Sequence, residues 1–203
     1  MARIKGRTRE ETRDSVLVAA EWAFANYGYD GSSLARIGAR AGVTAAAICY
    51  HYGDKPGLRD AVLDAIYVRL TRLAVGLDDR ATLSELVRVI LGFAQENRDA
   101  MRLILRHITE GGGMDHRMRE DRMNPLLGLL ATRLARRFET TDANARRALV
   151  SCTHLLMRFT TNQPEDNRVA LGLETQEEAE AQIAGILTSV ARHLLFTPIE
   201  MEH

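Results

Sequence analysis

The chain has 203 residues, 46% of them hydrophobic and 27% charged. These are the proportions of an ordinary globular protein, with enough length for one large or two small domains and a sizeable core. Its 27 Lys and Arg balance its 27 Asp and Glu, which excludes a uniformly basic nucleic-acid binder while leaving room for a local basic surface. The two cysteines, Cys49 and Cys152, are far apart and outside any CxxC spacing, which excludes a disulfide framework and a thiolate metal site. No apolar run has the length of a signal peptide core or a bilayer span, so the expectation is a cytoplasmic protein with no membrane contact.

In chain order, Arg3, Lys5, Arg7, Arg9 and Arg13 crowd the N-terminus. Such an arm suits a phosphate backbone or a minor groove, and equally a solubilising tail. Thr8 and Glu11 have the spacing of a capping box. The spacing then predicts a helix to about Tyr27, with Val16, Ala20, Ala23, Phe24 and Tyr27 on one face and Gly28 as its stop. Ser32 and Ser33 are N-cap residues for a second helix carrying Leu34, Ile37 and Ala41. Gly42 stands where a left-handed residue ends a helix. Thr44 caps a third helix over Ala45 to Tyr52, with Ile48 and Tyr52 inward and Tyr50 and His51 outward. Gly53 closes it. Asp54 caps a long helix, with Pro56 in its first turn and Leu58, Val62, Ile66, Leu70 and Leu73 along its apolar side to about Gly76. Two short helices joined by a tight glycine turn have the layout of a helix-turn-helix DNA reader.

The run from Ala19 to Leu58 resembles the N-terminal domain of the tetracycline-repressor (TetR) family of bacterial transcription regulators. The residues that carry the likeness are Ala19-Ala20, Phe24, Gly28, Ser33, Ile37, the Ala41-Gly42-Val43-Thr44 turn, Tyr50-His51-Tyr52, Lys55 and Leu58. The resemblance implies an all-α fold, with a three-helix DNA-binding domain over residues 1–55 and a helical ligand-binding and dimerisation domain over 56–203, about nine helices in all. It implies DNA contacts from Tyr50, His51 and Lys55. Short side chains at Thr44, Ala45, Ala46 and Ala47 would let the recognition helix lie close to the groove floor. Thr44 and the free helix N-terminus suit a phosphate, and alanine methyls suit a thymine methyl. Ser33 belongs to the same surface, and Arg36 and Arg40 would add backbone contacts beside the Arg3, Lys5 and Arg7 arm. Cys49 departs from the family, whose members commonly carry a tyrosine there. With three alanines beside it, this points to few direct base contacts and to reading by Arg36, Arg40, the arm or DNA shape.

Beyond Gly76 the chain matches only in size and helical character. Thr82 or Ser84 opens a helix to about Glu96, with Leu86, Val89, Ile90 and Phe93 inward. Asp99 to Glu110 forms the next. Gly111-Gly112-Gly113 breaks the chain, and it lacks the preceding strand and following GK[ST] of a phosphate cradle. Helices are expected over Leu126 to Phe138, from Asp142 through Phe159, and over Thr175 to Phe196, with residues 162–172 a loop around Pro164. A mixed pocket is expected among the middle helices, lined by Phe93, Met101, Ile104, His107, Met123, Leu127, His154, Met157 and Arg158, for a small-molecule effector of unknown identity. The resemblance also implies that the final two helices pair across a two-fold axis in a homodimer, for which Leu149, Cys152, Leu156, Ile183, Ile186, Leu187, Val190 and Leu194 are the candidates. The cluster His107, Glu110, Asp115, His116 and Glu120 is interrupted by three glycines, so no metal is expected. No catalytic constellation or nucleotide fingerprint can be assembled, so neither catalytic residues nor a cofactor is expected.

The reading is therefore a DNA-binding regulator, a repressor released from a pseudo-palindromic operator in double-stranded DNA by a small ligand. Its competitors are a DNA-binding dimer without small-molecule input and an enzyme that uses the helix-turn-helix as a scaffold.

Overall fold

A computed structural model describes residues 8–110 and 116–197; Arg3, Lys5 and Arg7, Gly111 to Asp115, and Glu200 with Glu202 lie outside the described residues. The described residues form ten α-helices and one π-helical segment, Met118–Met123: α1 Arg9–Tyr27, α2 Leu34–Ala41, α3 Ala45–Tyr52, α4 Lys55–Gly76, α5 Leu83–Glu96, α6 Arg98–Glu110, α7 Asn124–Arg137, α8 Asp142–Thr161, α9 Pro164–Ala170 and α10 Gln176–Phe196. The chain divides into two compact units, Met1–Arg69 with Arg102–Gly113, and Leu70–Met101 with Met114–His203. Helices α4 and α6 each supply residues to both.

In the first unit the local signals are used as written. Thr8 and Glu11 form the reciprocal capping box of α1, worth about 1 kcal/mol at such a cap. Gly28, at φ 73°, ends the helix. The face made by Val16, Ala20, Ala23 and Phe24 is fully buried, together with Ile37, Ile48, Leu58 and Val62. Tyr27, expected on that face, is instead an exposed side chain; it sits in the last turn, where the inward stripe has rotated past it. Buried Ser32 anchors the turn, its hydroxyl lying 2.7 Å from the Gly28 carbonyl and 3.0 Å from that of Ala23. Asp54 caps α4 by accepting from the Gly57 N–H at 2.8 Å.

The second unit departs further from the pattern. Thr82, not Ser84, caps α5 in a capping box with Glu85. The buried set on α5 is Leu86, Val87, Leu91 and Ala94, while Val89 is 51% exposed and Ile90 and Phe93 are half-buried. Leu86 to Phe93 is apolar at nearly every position, so two adjacent faces satisfy the helical period, and packing against α8 and α10 selects between them. Leu70 and Leu73 are likewise half-buried, and Ala74 takes the buried place on that side of α4. Pro125 does not reset the chain. It falls in the first turn of α7, which needs no N–H there, so the helix begins at Asn124 and continues directly from the π-helical segment. Thr141, rather than Asp142, caps α8, and Thr175 with Glu178 caps α10.

Residues 162–172 are not a plain loop. They contain α9, begun by Pro164, with Glu165 and Asp166 in its first turn and Arg168 in its last, an arrangement that complements the helix dipole. Buried Asn167 holds it in place, donating to the Phe159 carbonyl at 2.7 Å and accepting from the Asn162 amide at 2.7 Å. A helix of seven residues is too short to show a period, which is why sequence reasoning sees only Pro164 and the polar residues around it. A small core of Ala131, Ala145, Ala148 and Leu195 joins α7, α8 and α10.

Candidate nucleic-acid interface

Helices α2 and α3 are set by their caps and their turn. The Ser33 hydroxyl accepts from the Arg36 N–H at 3.2 Å, and the Thr44 hydroxyl accepts from the Ala47 N–H at 3.2 Å. Gly42 takes the left-handed conformation, φ 74° and ψ 31°, and the Val43 N–H closes onto the Gly38 carbonyl at 2.9 Å. Gly38 itself is a residue that sequence reasoning missed. A Cβ there would lie 2.7 Å from the Val43 carbonyl oxygen, so the turn can fold back onto α2 only across a glycine. The available signal is a glycine interrupting an otherwise good helix.

Fully buried Ile48 holds α3 from beneath. Tyr52 holds it from the side: its hydroxyl donates to the Arg13 carbonyl at 3.0 Å, and the Arg13 guanidinium lies 5.8 Å from its ring. Burial pushes the Tyr52 phenol above its ordinary pKa, so it remains a neutral donor. The outer side of α3 presents Thr44, Ala46, Cys49 and Tyr50, with Ala45, Ala47 and His51 at the edge. Tyr50 is 75% exposed and stands edge-on to His51 at 5.2 Å. Exposed Tyr50 and Cys49 beside Ala46 make this side of α3 locally apolar around the Tyr50 hydroxyl.

Between Ser32 and Arg59 the chain has four cations, Arg36, Arg40, Lys55 and Arg59, and a single carboxylate, Asp54, which is occupied as the cap of α4. Each cation rests on an aromatic ring. Arg36 lies 4.9 Å from the Tyr27 ring and donates to the Gly31 carbonyl at 3.1 Å; Arg40 lies 3.7 Å from the Trp22 ring. Lys55 and Arg59 lie 4.3 Å and 5.0 Å from Tyr29. Such contacts contribute about 0.5–1 kcal/mol at exposed sites. That is enough to bias where a flexible cation sits, and too little to stop it from turning to a phosphate. Trp22, Tyr27, Tyr29 and Arg59 were missed by sequence reasoning, because nothing in spacing alone tells which ring will lie beneath which cation. Ser33, Arg36, Arg40, Thr44, Ala45, Ala46, Ala47, Tyr50, His51 and Lys55 thus all belong to one unit; Arg3, Lys5 and Arg7 lie outside the described residues.

The residues expected around a ligand fall in both units. Ile104 and His107 belong to the first unit and the other seven to the second. Met101 and Met157 are buried, Phe93, Met123 and Leu127 half-buried, and His154 and Arg158 exposed, with His154 Nδ1 2.7 Å from the Val150 carbonyl. None of the nine lines the cavity of about 200 Å³ in the second unit, whose walls come from α5, the start of α6, the end of α8, α9 and α10. Of the residues expected between protomers, Leu156, Ile183 and Leu187 are buried within this chain by α8 packing on α10. Leu149, Cys152, Ile186, Val190 and Leu194 are half-buried. Among the described residues no group of three or more His, Cys, Asp or Glu is placed to hold a metal, and no helix is long and apolar enough to cross a membrane.

Residues 16–62 match the family described as bacterial regulatory proteins, tetR family. The chain is 41% identical over 71 residues to the HTH-type transcriptional regulator TtgR of Pseudomonas putida, a stretch covering 34% of each protein; the match thus spans about a third of that relative's length. In fold it is similar to a TetR-like transcriptional regulator from Rhodococcus sp. RHA1 (TM-score 0.66, 21% identity, 93% of this chain and 97% of that one). It is also similar to a transcriptional regulator of the TerR/AcrR family from Aquifex aeolicus (TM-score 0.66, 14% identity, 88% and 99%). Residues 16–62 thus match the tetR family of bacterial regulatory proteins, and the chain shares its fold with solved TetR-like regulators.

Proposed function

We propose that this protein is a transcriptional repressor that binds a pseudo-palindromic operator in double-stranded DNA as a homodimer and leaves it when a small-molecule effector binds. The observation that carries the reading is the outer side of α3: exposed Tyr50 beside half-buried His51 on a helix with short side chains, flanked by Arg36, Arg40 and Lys55, each resting on an aromatic ring. A short helix of this kind enters the major groove, Tyr50 and His51 reach phosphates or base edges, and Lys55, Arg36 and Arg40 turn from their rings to the backbone.

One such helix covers one half-site, so two must be held about 34 Å apart, one turn of duplex. The surface that pairs two chains is the side of α8 and α10 left open in this one. It carries Val150 and Thr153 on α8 and Ala181, Gly185 and Ser189 on α10, with Ile186, Val190 and Leu194 at its border. A Cβ added at Gly185 would meet nothing within 4 Å, so there is space for a second chain to approach closely. An effector acts by favouring the form in which α4, whose N-terminus follows α3, holds the half-site readers at the wrong separation.

The test is fluorescence anisotropy of purified protein against DNA fragments spanning its own promoter. Saturable binding that prefers one fragment, and that is lost in Tyr50→Ala with the helical content unchanged, supports the reading. Equal binding to every fragment would sink the operator. Neither competing reading, a regulator without small-molecule input or an enzyme, is favoured by a specific observation in the site.

A further inference from the structure

We infer that the operator bases facing α3 are thymines, read through their C5-methyl groups by Ala46, Cys49 and the ring of Tyr50. The inference rests on the DNA-binding reading above and adds to it the kind of base that the site selects.

Each base edge in the major groove calls for its own side chain. Guanine takes Arg or Lys, adenine takes Asn or Gln, cytosine takes Glu or Asp, and thymine alone offers a methyl to an apolar group. Helix α3 carries no Arg, Lys, Asn, Gln, Asp or Glu between Ala45 and Tyr52. Its exposed residues are Ala46, Cys49 and Tyr50. They stand at positions i, i+3 and i+4, so they form one continuous stripe on the helix surface. Ala46 ends in a methyl, and a thiol behaves as a small apolar group. The stripe is therefore short and apolar up to the Tyr50 hydroxyl, which is the chemistry that a thymine methyl fits.

The groups around the stripe have other partners or other uses. The Thr44 hydroxyl caps α3, accepting from the Ala47 N–H at 3.2 Å. Tyr52 is engaged with α1, its hydroxyl donating to the Arg13 carbonyl at 3.0 Å. The Tyr50 ring has the Arg9 guanidinium 5.7 Å from its centre and the His51 ring edge-on at 5.2 Å, so two neighbours orient it before DNA arrives. The cations near α3 come from other helices: Arg9 from α1, Arg36 and Arg40 from α2, and Lys55 from α4. Their charge suits phosphates, and a phosphate contact fixes register without saying which base lies beneath α3. Burying one methyl changes affinity about fourfold. That is small for a single contact, but a two-fold operator repeats it in both half-sites.

Fluorescence anisotropy on the full chain tests this with the promoter fragment that it prefers, made once with thymine and once with uracil at every thymine position. Uracil pairs as thymine does and lacks only the C5-methyl. The uracil fragment is expected to bind about tenfold more weakly or worse, from about fourfold in each half-site. In Cys49→Ser and in Ala46→Ser, both at exposed positions, the melting temperature is expected to stay close to that of the wild type, and the thymine-to-uracil affinity ratio is expected to fall severalfold. A merely structural role for either residue would leave that ratio alone. Equal affinity for the two fragments would overturn the proposal, and so would a ratio that both serine variants keep in full. A wild type with no preferred fragment removes the operator reading and this proposal with it. One that prefers a fragment and ignores the change to uracil loses this proposal alone.

Discussion

The helix-turn-helix and the α5–α8–α10 region are built from the same helix-forming residues, yet they are specified in different ways. In the first, every boundary is set by a residue acting on its own backbone: Ser33 and Thr44 accept from N–H groups three residues on, Gly42 takes a left-handed turn, and Asp54 caps α4. In the second, the helix ends are also capped locally, by Thr82, Thr141 and Thr175. Which side of the helix is buried, however, is chosen by neighbours far away in sequence. The lesson is that a short helix bounded by its own caps and turn can be placed from local residues, with Ile48 and Tyr52 seating it from beneath and from the side. A helix with apolar residues on most of its girth leaves the choice of face to packing.

The largest effect that sharpens this contrast is a core truncation set against its apparent equivalent. Ile48→Ala removes a fully buried side chain beneath α3 and is expected to cost about 2–5 kcal/mol in urea unfolding. Val89→Ala, on a side chain that is 51% exposed although its spacing reads as inward, is expected to stay within about 0.5 kcal/mol. Comparable losses would show that the buried face of α5 is the one carrying Val89.

A smaller effect separates local from distant capping. At the C-terminal end of α4, Arg133 of α7 acts as a cap from a distant part of the chain, bonding to the carbonyls of Ala74, Val75 and Leu77 and to the Asp79 carboxylate, the last at 2.6 Å. Removing it strips several helix-terminal carbonyls of their partner, and Arg133→Ala is expected to cost about 1–3 kcal/mol. Arg133→Lys is expected to recover little, since one ammonium cannot span that fork. Arg133 also holds the Asp79 carboxyl below its usual range. That contribution is present above the unfolded pKa near 3.8 and is lost as pH falls through the lower folded value. The wild type is therefore expected to lose more stability than Arg133→Ala between neutral pH and pH below that range; equal acid sensitivity would remove Asp79 from the clamp.

These contrasts show how much was legible. The caps of α1 to α4 and the fold class could be read because the relevant interactions span three or four residues. Gly42 was legible for the same reason, whereas Gly38 was not, because its need arises from the returning turn at Val43. The burial of Leu187 inside its own chain, at 3% exposure, could not be read from an apolar stripe wide enough for two partners. It also decides which substitution can test for a dimer. Leu187→Glu would disrupt α8–α10 packing in the protomer, whereas Gly185→Glu, whose added side chain meets open space, is expected to leave the protomer folded and to shift sedimentation from dimer to monomer. The cavity walls were the least legible feature, since they depend on α9, which has no period to read.

A smaller change still concerns the cations. Lys55 lies 4.3 Å from the Tyr29 ring. If it leaves that ring for a phosphate, Lys55→Ala is expected to weaken binding to all sequences alike and to lower the slope of log affinity against log salt by about one. A slope unchanged from wild type would leave Lys55 on its ring in the complex.

The two thiols give the mildest perturbation and divide the regions most sharply. Cys49 is exposed on α3, whereas Cys152 is half-buried between α8 and α10, its sulfur 3.7 Å from the Leu187 carbonyl. Burial pushes the Cys152 thiol from 9.0 up to about 11, so the folded chain keeps it neutral where the unfolded chain would ionise it. Its stabilising contribution is full below pH 9 and is lost as pH rises through about 11. At neutral pH a maleimide is expected to label Cys49 promptly and Cys152 only in denaturant, because the thiolate is the reacting species. A bulky adduct on Cys49 would stand beside Tyr50 on the surface assigned to the groove, so the singly labelled protein is expected to keep its melting temperature and lose its promoter binding. Retained binding would place α3 outside the groove, whatever the resemblance of its sequence.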